Sequence, residues 1–154
     1  MATFESRVVT IAIDRDLRAV YDFVHVPGNF PLWASGLAAG LEPAGEDWIA
    51  QGPEGEVRIR FSPPNPFGVL DHVVVLGDGT EIHSPMRVIA NGTGSEVMFT
   101  LFRRPGMTPE AFAADAEWVA RDLQALKEIL ERPTSEGGSE IARRTLDEVV
   151  YDLD

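Results

Sequence analysis

One segment near the C-terminal end constrains this chain more than any other: "MTPEAFAADAEWVARDLQALKEILE", residues 107–131. Phe112, Ala116, Val119, Leu123, Leu126 and Leu130 recur at alternating steps of four and three, so they share one face of a helix. Thr108 suits the N-cap and Pro109 the first helical position, with acids in the first turn. A long helix with a single apolar stripe must bury it against another layer.

The preceding residues supply that layer. "TFESRVVTIAI" alternates, with Val9, Ile11 and Ile13 on one side, which predicts a half-buried first strand. Asp14 reads as the N-cap of a helix, "RDLRAVYDFVHV", striped by Leu17, Val20, Phe23 and Val24. "PGNFPLWASGL" reads as a turn and a second short helix anchored by Phe30 and Trp33. "DWIAQGPEGEVRIRF" is a hairpin that sends Val57, Ile59 and Phe61 to one face. "SPPNPFG" is a rigid loop. "VLDHVVVL" and "TEIHSPMRVIA" flank the turn "GDG", and "SEVMFTLFRR" follows the turn "NGTG". The expectation is α+β: a curved antiparallel sheet wrapped on the long C-terminal helix, with two short helices after the first strand.

The hairpins assign side chains to faces. A two-residue turn at Asp78-Gly79 places Asp71 opposite Met86 and Val73 opposite Ser84. Asp71, Val73, Ser84, Met86 and Val88 then face inward, while His72 and His83 face outward. Asp71 and His72 are printed side by side, yet adjacent strand residues point to opposite faces and form no dyad. A turn at Gly92-Thr93 adds Val97, Phe99, Leu101 and Arg103 to the inner wall. The expected ligand-contacting set is Trp33, Ile59, Phe61, Asp71, Val73, Ser84, Met86, Phe99, Leu101, Arg103 and Val119. An apolar wall with a few placed polar groups is how ligand pockets are built. Asp71 is the candidate ligand-contacting or catalytic group; the alternative is a structural acid bonded to backbone, a hydroxyl or an arginine. His72, His83 and Glu81 are too few for a tight metal site, and no metal or other cofactor is expected. His25 follows the first helix and suits capping or packing.

Composition narrows the partners. The 154 residues suit one domain, and the absence of cysteine removes disulfides and thiolate chemistry. A net charge of −12 repels phosphate backbones and anionic membrane surfaces, so no nucleic-acid partner is expected. No apolar run nears the roughly 18 residues of a membrane span. The first residues lack a secretion signal, and a cytoplasmic location is the expectation. Residues 132–154 form an acidic tail behind the linker "PTSEGGSE". Ala142, Leu146, Val149 and Leu153 have helical spacing there, for docking on this domain or a partner; a frayed tail is the alternative.

This order of elements resembles the START-like, or SRPBCC, superfamily with its helix-grip fold, which includes the birch-pollen allergen, lipid-transfer domains and polyketide cyclases. "NPFGVLDHVVVL", "PMRVIANGTGSEVMFTLFRRPGM" and "DLQALKEILE" resemble a bacterial subgroup of uncharacterised SRPBCC proteins. The resemblance covers about residues 3–131 and implies that residues 1–131 are a ligand-binding domain with an apolar cavity under the sheet. It carries over no catalytic residue, because members bind, carry or transform many ligands. Three functions follow as expectations: binding of a small apolar or amphipathic molecule; a cofactor-free cyclase or dehydratase using Asp71 as general acid or base; or a protein-interaction domain, including a homodimer, acting through the tail or outer sheet face.

Overall fold

The structure, a computed structural model, describes residues 3–37, 39–52 and 55–133. The chain opens with β1 (Ser6–Ile13) and turns into α1 (Leu17–Val24). The cap expected at Asp14 is instead Asp16, whose side chain accepts from the Ala19 N–H at 2.7 Å. A single turn at Pro27–Asn29 leads into α2 (Phe30–Trp33). There follow β2 (Leu41–Ala44), β3 (Asp47–Gly52), β4 (Gly55–Phe61), β5 (His72–Val75), β6 (Glu81–Ser84), β7 (Met86–Asn91), β8 (Gly94–Phe102) and α3 (Pro109–Leu130). β2 was not expected from "LEPA", because Pro43 masks it; as an edge strand it tolerates the missing donor.

The strands form two antiparallel sheets, β1-β8-β7 and β2-β3-β4-β5-β6. They part at Pro85, which separates β6 from β7; the Thr100 N–H donates to the Pro85 carbonyl at 2.9 Å. The stripe read from the sequence makes α3 pack on β1, β8 and α2. Leu123 and Leu126 are fully buried there beside Ile13, Val20, Val88 and Val97. Each such side chain contributes about 1.5–3 kcal/mol by leaving water. Polar ties then fasten the end of α3 to the end of β1. Lys127 Nζ donates to the Ala12 carbonyl and to Glu131, both at 2.7 Å. Glu131 accepts from the Asp14 N–H at 2.7 Å, and Arg15 donates to the Leu130 carbonyl at 2.9 Å. No described helix is long and apolar enough to cross a membrane. The proposed tail helix lies outside the described residues.

The β5–β6 hairpin corrects the expected register. Its loop has three residues, 77–79: the Leu76 N–H donates to the Thr80 carbonyl and the Gly79 N–H to the Leu76 carbonyl, each at 2.9 Å. This is a turn followed by a residue at positive φ, here Gly79 at +88°, the usual three-residue hairpin loop. His72 therefore faces Ser84, and Val74 faces Ile82. A slip of one residue turns over every side chain of a strand. His72 and Val74 point inward; Asp71 and Val73, expected inside, point outward. The β7–β8 register is as read from the Gly92-Thr93 turn, pairing Met86 with Phe99 and Val88 with Val97.

Candidate functional site: a recess between the last helix and the five-stranded sheet

Because α3 is fastened to β1 and β8, its other side stands off the five-stranded sheet. The space left is a recess of about 180 Å³. Phe30 and Trp33 of α2, Ile59 of β4, His72 and Val74 of β5, Phe99 of β8, and Trp118, Val119 and Asp122 of α3 bound it. Of the expected lining, the fold brings together Trp33, Ile59, Phe99 and Val119. His72 and Val74 stand where Asp71 and Val73 were expected.

The other expected residues separate. Ser84 and Leu101 border a second recess of about 340 Å³, where β6 and β8 part, with Phe4, Ile82, Arg104 and Asp115. Asp115, then Trp118 and Val119, then Asp122 follow at successive helical turns, so both recesses run along one side of α3. Phe61, Val73 and Asp71 border a more open groove of about 240 Å³ with Arg60 and His83. Met86 is fully packed in the core. Arg103 is held by the Met107 carbonyl at 2.8 Å and by Glu5 at 3.3 Å, and borders none of these three spaces.

Asp71 and His72 do act together, but on the backbone. In the run between Gly68 and β5 the Leu70 N–H donates to the Met86 carbonyl at 2.8 Å. An unbroken antiparallel ladder would return the Met86 N–H to Leu70. Instead that N–H donates to Asp71 Oδ1 at 2.8 Å, and the Leu70 carbonyl lies 3.2 Å from His72 Nδ1. The two side chains splice a missing ladder bond. Arg87 closes on the same carboxylate through Nε (3.0 Å) and Nη2 (2.8 Å). Hydrogen bonding from Arg87 holds the Asp71 pKa below its usual value, against an opposing effect of burial. This is the structural acid that the sequence left as the alternative.

The splice sets the chemistry of His72. A carbonyl only accepts, so Nδ1 must carry the proton. The imidazole is boxed by Phe30 and Phe99, edge-on at 5.5 and 5.7 Å between centroids, and by Phe61 at 5.9 Å. Burial among these rings pushes its pKa down, against the Leu70 bond, so the neutral ring is favoured. Nε2 is then an acceptor, and among the described residues it has no hydrogen-bond partner. Two further polar groups border the recess. The Trp33 indole N–H is buried without a partner among the described residues. Asp122 accepts from the Ser35 hydroxyl at 2.8 Å and N–H at 3.3 Å; burial raises its pKa. His83 stays outside, 3.5 Å from Glu81, as expected. His25 stacks on Tyr21 at 4.8 Å, in line with a packing role.

The residue that sequence reasoning missed is His72. The signal was present in "LGDGT": glycine at the third position of the loop marks a three-residue hairpin as well as "DG" marks a two-residue one. "VVV" at 73–75 is equally apolar on both faces and did not arbitrate.

No family model and no curated protein matches the chain. Solved structures do match. DynU16, from the dynemicin biosynthetic locus, is 17% identical with a TM-score of 0.64 over 82% of this chain, which spans about half of it (47%). The Aha1 dimer from Colwellia psychrerythraea is 12% identical with a TM-score of 0.65, covering 85% of this chain and 99% of that one. A START superfamily protein from Mycobacterium smegmatis is 11% identical with a TM-score of 0.65, covering 82% and 97%. At such identities the likeness shows the fold alone. It is the α+β helix-grip of START-like proteins.

Proposed function

We propose that this chain binds a small apolar or amphipathic molecule in the recess between α3 and the five-stranded sheet. One observation supports this above others: α3 is anchored on the three-stranded sheet and α2, and the space it leaves beside the five-stranded sheet is walled by Ile59, Val74, Phe99 and Val119 with few polar groups. That is the make-up of a ligand site. Of the eleven residues expected to contact ligand, Trp33, Ile59, Phe99 and Val119 remain assigned to it.

Native mass spectrometry of the purified protein should find a retained small molecule. Titration with 2-methoxynaphthalene should also perturb the fluorescence of Trp33 and Trp118, and Val119→Trp, which fills the recess, should abolish binding of that probe. A protein that is repeatedly empty, and whose fluorescence ignores the probe, would remove the proposal.

A second reading, a cofactor-free cyclase or dehydratase, is favoured by a different group from the one first expected. Asp71 is committed to Arg87 and Met86, whereas His72 holds a neutral imidazole in an apolar recess, the state a general base needs. Loss of turnover in His72→Phe but not in Asp71→Asn would support it. For the interaction reading, the outer face of β1-β8-β7 exposes Val8, Ile89 and Phe102. Sedimentation velocity would report a homodimer.

A further inference from the structure

The geometry points to a ligand that carries a hydroxyl or N–H donor on an aromatic or fused-ring skeleton, with His72 Nε2 as the acceptor that selects it. This rests on the binding reading above and adds the chemistry of recognition.

Three observations converge. The Leu70 carbonyl, 3.2 Å away, fixes the proton on Nδ1, so the nitrogen left over offers a lone pair rather than a proton. His72 borders both the recess under α3 and the groove beside Ser84. The ring cannot swing away to find another partner, because Phe30, Phe61 and Phe99 enclose it. A ring flip would put Cδ2 in place of Nδ1 at the Leu70 carbonyl and so give up the splice. A neutral acceptor held in place among apolar walls discriminates ligands by a donor, because a ligand that covers it without one strips away its water and returns no hydrogen bond. The flat aromatic lining from Phe30, Trp33, Phe99 and Trp118 suits a planar skeleton.

A matched pair of probes tests this: 2-naphthol, which donates, and 2-methoxynaphthalene, which does not. The wild type should bind 2-naphthol about tenfold more tightly, the effect of one neutral hydrogen bond. His72→Phe should bind both probes equally, with affinity for the ether within about twofold of wild type. Equal binding by the wild type, or a preference that survives in His72→Phe, overturns the proposal while leaving the binding site intact. Failure of both probes to bind the wild type overturns the binding reading together with it. Nitrogen-15 NMR of histidine-labelled wild type gives a readout independent of any variant. Nε2 of His72 should appear unprotonated and shift on addition of 2-naphthol but not of the ether; a protonated Nε2 in the free protein refutes the assignment.

Discussion

Removing the Asp71 carboxylate should unpick the splice between the Leu70 run and β7, and the geometry says by how much. Its ion pair with Arg87 is partly solvated, at 36% and 48% side-chain exposure, so screening leaves it roughly 0.5–1 kcal/mol. The Met86 N–H is a different matter. Met86 is fully buried, and the carbonyl that would otherwise take its N–H is engaged by His72. Leaving that donor unmet costs about 1–3 kcal/mol. Asp71→Ala should therefore lose about 1.5–4 kcal/mol. Asp71→Asn, which keeps an acceptor oxygen for Met86, should lose about 1 kcal/mol. Each kcal/mol lowers Tm by roughly 3–4 °C in a chain of this size. Urea unfolding of both variants, with an Arg87→Ala cycle to isolate the ion pair, measures these quantities. The pH dependence adds a sign. The folded pKa of Asp71 is depressed, so its contribution is complete above the unfolded value of about 4 and fades as pH falls through the folded one. If Asp71→Ala unfolds within about 0.5 kcal/mol of wild type, or if the gap between Asp and Asn is the same at about pH 7 and pH 3, the splice does not stabilise the fold.

Other outcomes follow from the same contacts. Burial lowers the His72 pKa, so the unfolded chain takes up its proton first and stability falls as pH drops below about 6.5; His72→Phe should flatten that part of the curve, and an unchanged slope in urea unfolding counts against it. Gly68 has φ +70°, and a Cβ there would collide with the Val88 carbonyl oxygen, so Gly68→Ala should lose about 2–4 kcal/mol. Gly92→Ala, at φ +60° with open space around it, should lose only about 1 kcal/mol; equal Tm values for the two would refute the clash. Trp33→Phe removes a buried donor without a partner and should leave stability unchanged or raise it by up to about 1 kcal/mol, whereas a clear loss in urea unfolding would reveal a contact that the geometry does not show.

Most of the fold was legible because it rests on periodicity. The α3 stripe, the β1 alternation and the Gly92-Thr93 turn each admit one reading. β2 was hidden by a proline that matters only in a central strand. The site was less legible, since it hinges on counting one loop residue. Reading "DG" for "GDG" exchanged His72 for Asp71 on the inner wall, and nothing local could correct it because Val73 and Val74 are interchangeable by pattern. What resolves the choice is tertiary: three aromatic rings from α2, β4 and β8 close around His72, and Arg87 meets Asp71 from β7.

The one-sided anchoring of α3 separates two duties that most cores combine. The contacts with β1, β8 and α2 maintain the frame, while Val74 and Trp118 shape the vacancy from outside the buried core. Substitutions at Val74 and Trp118 should then carry a small thermodynamic penalty. The frame they leave in place is the fold that solved structures share with this chain at only 11–17% identity.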